Sequence, residues 1–338
     1  MLKKSSNTVT FWRHLLIASL SLLALPLAQA DTTLLNASYD VTRELFKDIN
    51  PAFIAEWKKT TGETIAIKQS HGGSSKQARS VIDGMEASVV TMNQASDIDS
   101  LVTHGLVSAN WSHLFPNNAA PFYSTMVFLT RKGNPKHITS WEDLGKPGIS
   151  VIVPNPKTSG NGRYTYLAAW GSVISSGGTE EQARQLVTRL FKNVPILDGG
   201  GRGATTTFTQ RNIGDVLVTF ENEVALARDE FGDHFDVVYP ASSILAESPV
   251  AVVDKVVDHL KTRKQATAYL QFMYSDAGQD IIARHFFRPR SATITKKYAT
   301  SFKPIKLFTV EKIFGSWSQI QKKHFDDGAE FDKIYQPH

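Results

Sequence analysis

Three short loops rich in glycine and serine carry the residues of this chain best suited to chemistry. They occupy residues 70–76 (S-H-G-G-S-S-K), 158–163 (T-S-G-N-G-R) and 199–204 (G-G-G-R-G-A). An apolar run precedes each loop, and a helix-compatible run follows it. A helix N-terminus leaves backbone N–H groups without partners and carries about half a positive charge, and small residues let a ligand approach the backbone closely. The three loops therefore predict an anion-binding site.

Each loop supplies hydrogen-bond donors of its own. Any one of them is explained equally well by ordinary helix caps and turns. Three loops at the carboxyl ends of strands favour a shared ligand, because open α/β sheets bind their ligands at that edge. The predicted ligand contacts are the backbone N–H groups or hydroxyls of Ser74, Ser75, Ser159, Gly160, Asn161 and Gly201.

Two arginines, Arg163 and Arg202, follow the glycines of the second and third loops. Either residue is able to pair with the anion directly. We favour a supporting role instead, in which each arginine turns away and holds a carboxylate such as Asp40, Asp198 or Glu221. Asp40 follows the first strand, where we expect it to cap a helix or support the site rather than touch the ligand.

The loops contain no Asp or Glu. A site made only of donors leaves the proton of hydrogen phosphate without an acceptor, whereas sulfate and thiosulfate carry no proton at neutral pH. His71 in the first loop is expected to be a hydrogen bonder of the loop and not a catalyst. The sequence shows none of the common nucleotide-binding, hydrolase or zinc-protease motifs, so we expect no metal and no cofactor.

The first 30 residues have the features of a secretory signal peptide. A basic start precedes the apolar residues 15–25, and Ala28-Gln29-Ala30 forms a small-x-small cleavage site. We therefore expect an exported, periplasmic protein that is cleaved after Ala30. The leader carries three basic residues and no acidic one, so most of the formal charge of +5 disappears with it. The nearly neutral remainder argues against nucleic acid as a partner, and the absence of cysteine excludes disulfides and thiolate chemistry.

The remaining chain alternates strand-like and helix-like segments, which indicates an α/β fold. A Pro/Asn-rich stretch at residues 115–121 separates two such blocks and favours two lobes over one large domain. We place lobe I at residues 31–122 and 249–338, and lobe II at residues 123–248. The predicted strands are residues 34–39, 64–69, 89–92, 149–153, 194–197, 216–220, 236–239 and 250–253, with an extended run at 123–131. The predicted helices are residues 42–60, 75–84, 98–104, 161–175, 179–192, 206–212, 222–231, 264–274 and 275–286.

The chain resembles the periplasmic sulfate- and thiosulfate-binding proteins of ABC importers. The resemblance covers nearly all of the chain after the leader and rests on the segments at residues 35–40, 69–74, 123–125, 131–135, 154–160, 167–171, 214–217 and 314–317. It implies a two-lobed type II periplasmic-binding fold that closes on a dianion between its lobes. It also implies delivery of sulfate or thiosulfate to an inner-membrane ABC permease, with no enzymatic activity, and we expect a monomer.

The resemblance further implies ligand contacts at Ser74, Ser159, Gly160, Asn161 and Gly201. In the sulfate-binding branch a tryptophan donates an indole N–H to the ligand, but the matching position here is Phe220, which has no donor. Residues 200–207 and 158–161 look like the thiosulfate branch, whereas residues 244–247, 251–254 and 288–290 look more like the sulfate branch. We expect the chain to bind thiosulfate and sulfate, with the preferred anion undecided.

Two other functions are compatible with an exported anion-binding chain. The first is an exported hydrolase of sulfate or phosphate esters, which the missing metal ligands and activated nucleophile disfavour. The second is a chemosensory protein that presents the anion to a receptor. The second function uses the same site, so the residues do not separate it from import.

Overall fold

The computed structural model describes residues 32–335. The predicted leader and its cleavage after Ala30 lie outside these residues. The strands are β1 (Thr32–Tyr39), β2 (Ile65–Gly72), β3 (Val89–Thr91), β4 (Phe122–Ser124), β5 (Met126–Arg131), β6 (Val151–Pro154), β7 (Leu197–Asp198), β8 (Val216–Phe220), β9 (Phe235–Val238), β10 (Ser242–Ile244), β11 (Ala246–Ser248), β12 (Val250–Val252), β13 (Arg288–Pro289) and β14 (Lys306–Phe308). The helices are α1 (Arg43–Thr61), α2 (Ser74–Ile82), α3 (Ala95–Thr103), α4 (Pro116–Ala119), α5 (Gly160–Ser175), α6 (Glu180–Lys192), α7 (Gly201–Thr209), α8 (Glu221–Phe231), α9 (Asp254–Leu260), α10 (Arg263–Phe272), α11 (Asp276–Arg284), α12 (Ala292–Lys297), α13 (Val310–Phe314), α14 (Trp317–Ile320) and α15 (Glu330–Ile334). Among the described residues, no helix combines the length and apolar character needed to cross a membrane.

Two main sheets organise the molecule. The first has the strand order β12-β3-β1-β2, with β1 parallel to both β2 and β3 and β12 antiparallel to β3. The second has the order β7-β6-β8-β5-β9, with β6 parallel to β7 and β8, and β5 antiparallel to β8 and β9. The mixed α/β class predicted from the alternation of elements is confirmed.

A small third sheet, β11-β4-β13, lies where the chain passes between the two main sheets. Tyr123 at its centre pairs with Glu247 on one side and Arg288 on the other. The lobe boundaries predicted at 122–123 and 248–249 fall within β4 and at the end of β11. Both junctions therefore lie in this small sheet, and the division into two lobes stays a prediction.

Helix α1 illustrates how the sequence pattern forms the layers. The five apolar residues predicted on one face, Leu45, Phe46, Ile49, Phe53 and Trp57, are all buried. They recur at the spacing of one helix face and pack in the main apolar core beside the first sheet. Gly62 ends the helix with φ of 77°, a conformation that glycine adopts without steric cost.

Three sequence predictions differ from the structure. The strand predicted at 194–197 shrinks to the two residues of β7, because Pro195 has no N–H to donate to a neighbouring strand. The extended run at 123–131 is two strands, because β4 pairs in one sheet and β5 in another, and the Thr125 hydroxyl between them donates to the Ile244 carbonyl at 2.9 Å. Helix α7 begins at Gly201 and not at residue 206, so the third glycine-rich loop forms the first turn of the helix itself.

Candidate anion-binding site

The three loops lie where the sequence placed them, at the carboxyl ends of strands. The first follows β2 and opens α2, the second follows β6 and opens α5, and the third follows β7 and opens α7. The first ladder bonds of these helices are donated by the N–H groups of Gln77, Arg163 and Ala204. The backbone N–H groups before these three residues make no bond within the helix ladder, and they lie at the positive end of each helix dipole.

The loops meet at one place. A Cβ built on Gly73 would lie 3.6 Å from the Thr158 carbonyl oxygen, so the first and second loops touch. The Thr158 hydroxyl donates to the Gly199 carbonyl at 3.2 Å, which joins the second loop to the third. A Cβ on Gly201 would lie 3.0 Å from Nδ2 of Asn161. Three helix N-termini thus converge between the two main sheets, and a single small anion is able to face all of them.

In the first loop, the two serine hydroxyls face the protein. Ser74 Oγ accepts from the Asn93 N–H at 3.1 Å and lies 3.5 Å from the Met92 sulfur. The Ser75 hydroxyl donates to Asp97 at 2.8 Å. The hydroxyls of these serines therefore position α2, and the groups left for a ligand are the backbone N–H groups.

The second loop begins with Ser159, which caps α5. Its Oγ lies 3.5 Å from the Gly162 nitrogen, from which it accepts a hydrogen bond, while its own proton is available to a ligand. Asn161 Nδ2 donates to the Thr219 hydroxyl at 2.8 Å, so this side chain ties α5 to the strand β8. The amide nitrogen of Asn161 is thereby engaged, its Oδ1 is buried without a partner among the described residues, and its backbone N–H is the donor left for an anion.

Phe220 ends β8 and precedes α8, and it is buried. Its ring meets Tyr164 of α5 edge to face at 5.8 Å between ring centres, and Tyr164 meets Trp317 at 5.5 Å. The neighbouring Thr219 bonds Asn161, which places Phe220 next to the second loop. The structure therefore packs the Phe220 ring against Tyr164 at the end of β8, and a contact between Phe220 and the ligand stays a prediction.

Both arginines are engaged with the protein, and Arg202 forms its ion pairs with carboxylates other than the three that the sequence suggested, although its charge also opposes the rise in the pKa of Asp40. Arg202 pairs with Glu44 at 2.8 Å and with Glu223 at 3.5 Å. Arg163 donates to the Pro156 carbonyl at 3.0 Å, and its guanidinium lies 5.4 Å from the centre of the Phe325 ring.

The three carboxylates proposed as their partners are held in other ways. Asp198 accepts from the Thr207 hydroxyl, and Glu221 forms a two-point ion pair with Arg288 at 2.6 and 2.8 Å. Asp40 is the first residue of the helical turn after β1, so it does not cap that turn, and the backbone N–H groups of Asp40 and Val41 oppose the rise in its pKa. Pairing in this region joins residues that are far apart in sequence, which explains why local reasoning chose wrongly.

Buried carboxylates surround the loops. Burial raises the pKa of Asp97 in spite of the hydroxyls that bond it, and burial likewise raises the pKa of Asp40. Burial raises the pKa of Glu223 to about 7, with Arg202 opposing the shift. Because both nearby arginines are engaged with other partners, the helix N-termini are the groups left to attract an anion.

Sequence reasoning missed four residues that shape this region: Glu44, Asn93, Asp97 and Glu223. Asn93 follows β3, so it lies at the same carboxyl-end edge as the loops, and that position was the available signal. Glu44 and Glu223 are connected to the third loop by their ion pairs with Arg202, and no local sequence pattern predicts these pairs. His71 was predicted to be a hydrogen bonder of the loop; it lies instead at the end of β2, where its Nδ1 is 2.7 Å from the hydroxyl of Ser38 on the neighbouring strand β1.

Known proteins are similar to this chain in sequence and fold. The family described as bacterial extracellular solute-binding protein matches residues 34–288. A thiosulfate-binding protein of Pseudomonas aeruginosa is 58% identical over 92% of this chain and 94% of its own length. A sulfate-binding protein of Escherichia coli is 52% identical over 90% of this chain and 93% of its own. The solved sulfate-binding protein SubI of Mycobacterium tuberculosis superimposes with a TM-score of 0.79 at 32% identity, over 87% of this chain and all of that one. The chain belongs to the bacterial extracellular solute-binding protein family.

Proposed function

We propose that this protein captures thiosulfate or sulfate outside the cytoplasm and delivers the anion to an ABC permease for sulfur uptake. The observation that carries the proposal is the convergence of three helix N-termini at one point between the two main sheets. In this role the two lobes predicted from the sequence close over the anion, and the small sheet β11-β4-β13 is the hinge. The relatives named as thiosulfate- and sulfate-binding proteins support the choice of ligand.

The donor set supports a fully ionised anion. The N–H groups at the starts of α2, α5 and α7 hold the charge by hydrogen bonds and helix dipoles, which leaves the site without a free counter-charge. A ligand that carries a proton has to place it against one of these donors, which costs binding energy. Hydrogen phosphate is therefore expected to bind much more weakly than sulfate.

Phe220 supports thiosulfate as a ligand beside sulfate. Thiosulfate replaces one oxygen by a large polarisable sulfur, and sulfur makes favourable contacts with aromatic rings. The Phe220 ring, which packs against Tyr164, is suited to such a contact, and it has no donor for a fourth oxygen. The two anions therefore bind with similar affinities if the sulfur of thiosulfate lies against Phe220.

Calorimetric titration of the exported chain, residues 31–338, tests the function. Thiosulfate, sulfate, hydrogen phosphate and molybdate are titrated in turn into protein freed of bound anion by unfolding and refolding. We expect tight one-to-one binding of thiosulfate and sulfate and little heat with phosphate. Equal affinity for phosphate, or no binding of either sulfur anion, would refute the proposal.

The two other functions considered from the sequence differ in how they are supported and tested. The ester-hydrolase hypothesis has no support among the relatives, which are named as binding proteins. The chemosensory role uses the same site, so a genetic test separates it from import. Loss of the gene should abolish growth on thiosulfate or sulfate as sole sulfur source if the protein serves import.

A further inference from the structure

The carboxamide of Asn93 lies between the first and second loops. Asn93 follows β3, and its backbone N–H donates to Ser74 Oγ at 3.1 Å. Its side chain reaches across to the second loop, where a Cβ added to Gly160 would collide with both carboxamide atoms. Asn93 therefore touches one predicted ligand contact on each side of the cleft.

The carboxamide has an unmet hydrogen-bonding capacity. Asn93 is 5% exposed, and its Oδ1 has no hydrogen-bond partner among residues 32–335. A buried polar group without a partner lowers stability, so such a group needs an explanation. The neighbouring Gln94 also has a buried side-chain oxygen without a partner among residues 32–335, but its Nε2 donates to Ser75 and Asp97, so the amide nitrogen of Gln94 serves the protein itself.

We propose that Asn93 contacts the bound anion and donates a hydrogen bond from Nδ2. This inference rests on the proposed function and adds a residue to its site. The oxygen and nitrogen of an asparagine exchange places by rotation about χ2, so a dianion in the cleft turns the N–H₂ group toward itself. A side-chain donor from the side of the first sheet then offsets the donor that Phe220 lacks on the side of the second.

Two substitutions of Asn93 test the contact by calorimetric titration. Asn93→Leu keeps the approximate size and removes the donor, and we expect it to weaken thiosulfate and sulfate binding about 10- to 100-fold, the range for a hydrogen bond to a charged group. Asn93→Asp keeps the shape and sets a carboxylate against the dianion, so we expect a larger loss. The matched control is Asn193→Ala, because Asn193 Nδ2 donates to the Leu144 and Lys146 carbonyls, outside the three loops, and binding should not change.

A purely structural latch between the two sides of the cleft would also weaken binding, so a second measurement separates the two roles. Small-angle scattering at saturating thiosulfate gives the radius of gyration of the closed form. We expect wild type and Asn93→Leu to reach the same value, because the leucine variant lacks only a ligand contact. A saturated variant that stays more open would overturn the ligand contact in favour of a latch.

Hydrogen phosphate tests which atom of the carboxamide faces the ligand. If Oδ1 faced the cleft, it would accept the proton of hydrogen phosphate, and wild type would bind that anion more tightly than Asn93→Leu does. Such a result would overturn the assignment of Nδ2, as would Asn93→Leu and Asn93→Asp variants with wild-type affinities for both sulfur anions. A wild-type protein that binds neither anion would refute the proposed function and this role together, whereas normal wild-type binding with unaffected variants would refute this role alone.

Discussion

Replacing Glu223 by glutamine tests how the protein holds a buried carboxylate behind the third loop. Glu223 lies in the first turn of α8 with 2% of its surface exposed, and among the described residues only the Thr205 hydroxyl approaches its carboxylate as a weak hydrogen-bond donor. Its one close cation is Arg202, whose Nε is 3.5 Å away and which also serves Glu44. Burial raises the pKa of Glu223 from 4.5 to about 7, and the nearby Asp40 and Glu44 raise it further against the pull of Arg202.

The size of the effect follows from this shift. Below pH 4.5 the carboxyl is protonated in both the folded and the unfolded protein and carries no penalty. Between pH 4.5 and 7 the unfolded chain releases its proton while the folded protein keeps it, so the free energy of unfolding falls as the pH rises. Moving the pKa from 4.5 to about 7 corresponds to about 3 kcal/mol, which is lost in full once the pH exceeds 7.

Glutamine has nearly the same shape and no charge, so Glu223→Gln should not show this loss. We expect the free energy of unfolding of the variant, relative to wild type, to rise by about 3 kcal/mol between pH 4 and pH 8. Urea denaturation followed by circular dichroism at several pH values measures this difference, in which any constant cost of burying the amide cancels. If the difference in unfolding free energy between variant and wild type stays the same from pH 4 to pH 8, the fold does not raise the pKa of Glu223.

Glu221 on the same helix provides the matched control. It is also buried, but Arg288 pairs with it at two points, so its charge is compensated. Glu221→Gln should destabilise the protein at pH 8 by about 3–5 kcal/mol, the cost of leaving a buried charge without its partner. If Glu223→Gln stabilises the protein at pH 8 and Glu221→Gln destabilises it, the effect of each substitution depends on whether the carboxylate has a cationic partner.

Three further substitutions are expected to have measurable effects. Ser159→Ala should weaken anion binding by about 1.5–3 kcal/mol through the lost hydroxyl and lower stability by about 1 kcal/mol through the lost helix cap. Ser172→Ala, on the same helix, is the control and should not change the affinity. If calorimetric titration gives both variants the same affinity, Ser159 does not contact the ligand. Phe220→Trp should raise sulfate affinity relative to thiosulfate by roughly 1 kcal/mol, and an unchanged ratio in paired titrations would contradict the contact between Phe220 and the ligand. Burial lowers the pKa of His324 from 6.5 to about 4, so wild type should lose up to about 3 kcal/mol as the pH falls across that interval, and His324→Asn should flatten this slope in urea denaturation.

Much of the local structure could be predicted from the sequence. The apolar face of α1, the strand β8 and the three strand-to-helix loops depend on spacing and on residue type within a few positions, and they are present as expected. Helix N-termini and their dipoles are properties of short segments, so the sequence alone predicts which backbone N–H groups are available as donors. The segments shared with the sulfate- and thiosulfate-binding proteins pointed to the two-lobed fold in the same way.

Only the tertiary structure decided which of these groups meet. Arg202 pairs with Glu44 across 158 positions of sequence, and no local pattern distinguishes that carboxylate from the three that we had proposed. The position of Asn93 after β3 was its one signal in the sequence, and its contact with Gly160 appears only in the fold. The sequence by itself determined the donors and the elements that carry them, because those depend on neighbouring residues. Partners, burial and the pKa of Glu223 depend on how distant segments pack, and they were decided by the fold.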